Sequence, residues 1–140
     1  MTLTELRDAL AKATGPDRKL DHAILEACTE WRLRFVETGL TDALYRDKDR
    51  PERVLIGREV LRYTASIDAA VTLVPDGHWF NINNQGIAAA VFSDINFRIV
   101  CEAYADTIPL ALCLARCEYE ITRQKEIGAE AVISRSRTCS

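Results

Sequence analysis

The sequence predicts an α+β protein: an α/β/α sandwich whose small antiparallel three-stranded meander is covered by helices on both faces. Two observations predict it. The first is the run Ile87-Ala88-Ala89-Ala90-Val91-Phe92, which has strand length and no polar member. Alternate side chains of a strand point to opposite faces. Ile87, Ala89 and Val91 therefore face one way, Ala88, Ala90 and Phe92 the other, and neither set favours water. The second is chain order. Strand-like runs at residues 78–83, 87–93 and 97–105 follow one another through short turns, which places the apolar run at the centre. A central strand with two apolar faces requires a layer on each side.

Each element has its own local reason. A first helix over residues 4–13 follows from Leu3, Leu6 and Leu10 at helical spacing, with Thr2 and Glu5 as a capping box. Gly15 and Pro16 end it and open the next. A second helix over residues 17–36 follows from the stripe Leu20, Ile24, Ala27, Trp31 and Phe35, with Gly39 as its stop. Residues 38–62, in which Tyr45 to Arg62 alternates Arg and Lys with Asp and Glu around Pro51, read as a long solvated loop. Within it Val54, Leu55 and Ile56 form a short strand or extended anchor, and such loops are often functional. A third helix starts at Thr64 or Ser66, carries Asp68 in its first turn, and shows Ile67, Ala70, Val71 and Val74 on one face. Pro75-Asp76-Gly77 stops it. Asn83-Asn84-Gln85-Gly86 is hairpin chemistry, because Asn and Gly tolerate positive φ. A fourth helix begins at Asp106 or Thr107 with Pro109 in its first turn and runs to about residue 127, with Gly128 as a stop. It carries two apolar stripes, so it contacts the sheet and another helix or subunit. The expected organisation is one domain over residues 1–127, with 38–62 as a charged insertion and 128–140 as a polar, frayed tail.

Composition narrows the function classes. At 140 residues the chain is long enough for one real core. A net charge of −3 argues against a general nucleic-acid binder. No apolar run reaches bilayer-spanning length, and the N-terminus has no signal-peptide pattern. Five cysteines, Cys28, Cys101, Cys113, Cys117 and Cys139, are odd in number and mostly lie in apolar patterns. Reduced thiols in a cytoplasmic protein fit them better than a disulfide framework.

Three segments carry a likeness. They are Tyr63-Thr64-Ala65-Ser66-Ile67-Asp68-Ala69-Ala70 with Leu73-Val74, then Trp79, then Ala105-Asp106-Thr107-Ile108-Pro109-Leu110-Ala111-Leu112-Cys113-Leu114-Ala115. Together they resemble the phage ABA-sandwich domain, a family of small phage and prophage accessory proteins. Gly15-Pro16-Asp17-Arg18-Lys19-Leu20-Asp21 is similar to that family's N-terminal helix start. The likeness is densest from Tyr63 to Ala115, and the charged stretch from Arg46 to Arg62 departs from the family's shortest members. It implies a sandwich fold and a phage origin, and no catalytic residues.

Several residues carry both a chemical reading and a plainer one. Trp79 and Phe80 beside Asn81 and Asn83 would stack a base and bond its edges, with Arg98 neutralising a phosphate; the plainer reading is core, strand face and turn. Arg46, Lys48, Arg50, Arg53, Arg58 and Arg62 would line an anion site, but the interleaved Asp47, Asp49, Glu52 and Glu59 favour a solvated face. Arg135 and Arg137 in the tail would close over a ligand from a neighbouring subunit. Cys113 and Cys117 lie one helical turn apart, yet His22 and His78 are the two histidines and no second cysteine pair has metal spacing, so core thiols are favoured and no metal or cofactor is expected. Asp68 and Asp106 as acid and base are more simply read as helix-start residues.

The functional expectation is a non-catalytic phage accessory protein. In its most concrete form it is a cytoplasmic homo-oligomer that sequesters a small anionic, nucleotide-like ligand, a host immune signal among them. The ligand-binding residues expected are Trp79, Phe80, Asn81, Asn83, Arg98, Arg58, Arg62 and Arg135. Neither nucleic acid nor membrane is expected as a partner. The alternatives are a protein–protein adaptor or inhibitor, working through the charged loop, and a small hydrolase using Asp68, Asp106 or a cysteine.

Overall fold

Thr2 opens the first helix as its sequence predicts. Its Oγ1 accepts the Glu5 N–H at 3.2 Å, and α1 (Leu3–Lys12) buries Leu6 and Leu10. The fold is that of a computed structural model, which describes the backbone of residues 1–138 and the side chains of residues 1–127. α2 spans Arg18–Cys28, with the Asp17 carboxylate accepting the N–H groups of Lys19 and Leu20. The expected continuation to residue 36 is wrong. Thr29 turns extended (φ −131°, ψ 179°), and Trp31–Phe35 form strand β1. Trp31-Arg32-Leu33-Arg34-Phe35 alternates with period two, and the stripe through Trp31 and Phe35 fits a helix and a strand equally well until pairing decides.

The pairing partner comes from the expected loop. β2 (Leu44–Asp47) pairs antiparallel with β1, and β3 (Val54–Ile56) pairs with β2. Residues 38–62 are therefore not a loop insertion but two strands of a second sheet, with 3-10 turns at Leu40–Asp42 and Gly57–Glu59. Strand alternation sorts the charges that alternate along the sequence. Asp47 is buried, where it accepts the N–H groups of Asp49 at 2.8 Å and Arg50 at 3.2 Å and the Arg53 guanidinium at 3.0 Å. Arg53 also lies 5.1 Å over the Trp31 ring. Arg46 stays exposed, directly opposite Arg32.

α3 (Ile67–Val71) is capped by Ser66, whose Oγ accepts the Ala69 N–H. Then come β4 (Trp79–Gln85), β5 (Ile87–Ser93) and β6 (Ile99–Ala105), an antiparallel sheet in the order β4-β5-β6. The meander and the central place of the apolar run stand as read from sequence. The first hairpin is tighter than expected, turning at Gly86 with φ +91°. α4 (Ile108–Thr138) is capped by Thr107, whose Oγ1 accepts the Leu110 N–H at 3.3 Å. It passes the expected stop at Gly128. A glycine inside a helix costs only about 1 kcal/mol, and Ala129, Glu130 and Ala131 favour continuing. The expected frayed tail is helical backbone through Thr138; Arg135 and Arg137 have side chains outside the described ones, and Cys139 lies beyond the described backbone.

The α+β class and the sandwich-like layering hold, with one change in the layers. α4 lies on β5 and β6 and turns its other side to α1, α2 and α3, while α2 meets β1. Every side chain from Leu110 to Ala115 is buried as a result. Ala88, Ala90 and Phe92 face α4 and are fully buried, whereas Ile87 on the other face is 54% exposed. The helical cover expected on both faces of the meander is thus present on one.

Candidate functional site

The segment ahead of α3 and the start of α2 meet in space. Thr64, from the segment ahead of α3, lies against the first turn of α2. Its N–H donates to Asp21 Oδ1 at 2.8 Å, and its hydroxyl reaches the same oxygen at 2.7 Å. The Asp17 N–H donates to the Thr64 Oγ1 at 2.9 Å. Asp21 is 1% exposed, and its second oxygen holds the Arg18 guanidinium at 3.0 Å. Arg18 also donates to the carbonyls of Leu61 at 3.3 Å and Gly57 at 3.4 Å. A charged fork fixed by a buried carboxylate and two carbonyls is preorganised, so little further order is lost when it meets an anion.

Arg18 forms one wall of a cleft of about 270 Å³ lined also by His22, Leu40, Thr41, Gly57, Arg58 and Arg62. Three arginines line it and no carboxylate is among the lining residues, although Asp21 pairs with Arg18 behind the wall. Gly57 is what lets the walls close. A Cβ at this position would stand 1.8 Å from the Leu40 carbonyl oxygen, and the Gly57 N–H donates to Ala43 O at 2.7 Å. His22 is 5% exposed, and its Nδ1 lies 2.6 Å from the Tyr45 hydroxyl. Burial pushes its pKa below the ordinary histidine value; the Arg18 charge adds to this and Asp21 opposes it. The ring is thus neutral near pH 7.

The other expected ligand residues lie elsewhere. Trp79, Asn81 and Asn83 sit on the open face of β4, Phe80 on its other face, and the Trp79 ring stacks on Phe97 at 5.9 Å. Arg98 lines a separate cavity of about 470 Å³ with His78, Tyr119, Arg123, Asp94 and Glu126, where the charges are mixed. The structure therefore joins Arg58 to Arg62 and separates both from Arg98 and the β4 aromatics. Arg135 has its side chain outside the described ones. Arg18 and His22 escaped the sequence reading. The spacing of Arg18 and Asp21 on one helix face was the available signal, but it reads equally as a surface ion pair.

The thiols are core. Cys28, Cys101, Cys113 and Cys117 are buried. Burial drives Cys101 up to about 12. Cys113 is raised by burial, and Cys117 by its hydrogen bond to Cys28 and by burial. Cys101, Cys113 and Cys117 are therefore protonated at neutral pH and poor nucleophiles. Asp68 and Asp106 are exposed, while Ser66 and Thr107 do the capping. Among the described residues no three His, Cys, Asp or Glu side chains are placed to hold a metal ion, and no helix is long and apolar enough to cross a membrane. The chain matches no protein-family model, no curated protein and no solved structure.

Proposed function

We propose that the protein works by binding, taking a small phosphate-bearing, nucleotide-like ligand into the cleft of Arg18, Arg58 and Arg62. The observation that carries this reading is that three arginines line one cleft with no carboxylate in its lining. Guanidinium planes match phosphate oxygens in bidentate geometry, and a partly enclosed site strengthens each bond relative to open water. Thr41 adds a hydroxyl, neutral His22 a ring nitrogen, and Leu40 an apolar contact for the uncharged part of the ligand.

Sequestration needs affinity and neither a general base nor a nucleophile. The likeness to phage ABA-sandwich proteins supports a phage accessory role, in which the bound molecule is a nucleotide signal of the host kept from its receptor. Recovery of the ligand separates binding from turnover. Protein incubated with a bound nucleotide and then denatured should release it unaltered by mass spectrometry. A hydrolysed or rearranged ligand, absent from a protein-free incubation, would overturn the non-catalytic reading.

A further inference from the structure

The open face of the β4–β5–β6 sheet is too apolar for a surface left in water. Trp79, Ile87, Ile99 and Tyr104 lie on it, and Phe97 from the β5–β6 turn extends it by stacking on Trp79. Each of the five exposes between 51% and 74% of its surface. At about 150–250 Å² per large side chain they offer on the order of 600 Å². Asn81, Asn83, Ala89, Val91 and Glu102 lie between them and bring the face towards the roughly 800 Å² per partner of a stable interface. Exposed apolar patches larger than a few hundred Å² mark interaction surfaces.

Phe97 points the same way independently. It has φ +61°, the one non-glycine residue at positive φ among those described, and it is 74% exposed. Asn or Gly would occupy that turn position with less strain, which for other side chains costs about 1–2 kcal/mol. A bulky ring held there in water gains nothing for the single chain.

We propose that a second copy of this chain covers the face, so that the two sheets pack face to face about 10 Å apart. The face is suited to meeting itself. Its centre is Ala89 and Val91, its large groups lie towards the strand ends, and Glu102, held by the Tyr104 hydroxyl, is its one charged strand residue. A two-fold axis along β5 lays the aromatic end of each sheet on the aromatic end of the other and sets Glu102 of one copy across from the Asn81 side of its partner rather than on the second Glu102. The second apolar face of β5 then acquires the cover its sequence requires. The inference does not rest on the ligand reading.

Sedimentation equilibrium of the wild-type chain, with F97N, I99K and V54K, tests it. The wild type should be a dimer at about 10 μM, and I99K should weaken association by on the order of tenfold or more. F97N should do the same while its monomer melts no lower than I99K, because Asn relieves the turn. V54K, at an exposed site on the other sheet, should associate like the wild type. A wild type that stays monomeric to about 100 μM overturns the proposal. So does a dimer that V54K dissociates, or one that F97N and I99K leave intact.

Discussion

Asp21 and His22 stand side by side on α2 and do different work. Asp21 is a buried charge paired on both oxygens, fixing Arg18 on one side and the Thr64 backbone on the other. Removing one partner of such a pair commonly costs about 3–5 kcal/mol, so Asp21 belongs to the fold as much as to the cleft. His22 titrates. Because burial lowers its pKa in the folded protein, the unfolded chain binds more protons once the pH falls below about 6.5. The neutral ring therefore contributes stability that is present above that value and lost as the pH falls through the folded pKa. Urea midpoints measured at about pH 7.5 and pH 5.5 should drop further for the wild type than for H22N. Asn keeps a polar group near the Tyr45 hydroxyl and cannot charge. Equal drops would remove His22 from the account.

At the scale of elements, the cleft depends on how closely two 3-10 turns approach. Gly57 is the contact, and its Cα hydrogens face the Leu40 carbonyl at a distance no Cβ tolerates. G57A should lower stability by about 3 kcal/mol or more in a thermal melt. G39A, where an added methyl meets nothing within 4 Å, is the control and should change little. Equal effects would show that the turns do not pack as described. This part of the molecule was the least legible in the sequence. Residues 44–47 and 54–56 are short strands whose partner, β1, had been absorbed into a helical stripe by Trp31 and Phe35. Three-residue strands carry too little periodicity to be read alone, and they exist because they pair with each other. The long elements were legible. Thr2 and Ser66 cap helices where their chemistry indicates, and the meander follows from the apolar run of β5 and its two turns.

For the whole molecule, the lesson lies in the two faces of β5. Sequence showed that both need a cover and could not show what supplies it. The helices cover one, and the other carries Trp79, Phe97 and Ile99 into the solvent of a single chain. The candidate site was partly legible for a related reason. Arg58 and Arg62 are close in sequence and close in the cleft, but Arg18 arrives from 40 residues away through the Asp21–Thr64 contact. Arg98, which sequence grouped with them, goes to another cavity. A local reading finds cations; only the tertiary contact selects three of them. Binding of a phosphate-bearing ligand by Arg18, Arg58 and Arg62 is read out by titration calorimetry. Against a panel of cyclic nucleotides and ADP-ribose isomers, the wild type should bind at least one member, and R58A and R62A should each weaken that binding by about tenfold or more. No heat from any member, or unchanged affinity in the R58A/R62A double variant, would contradict the account.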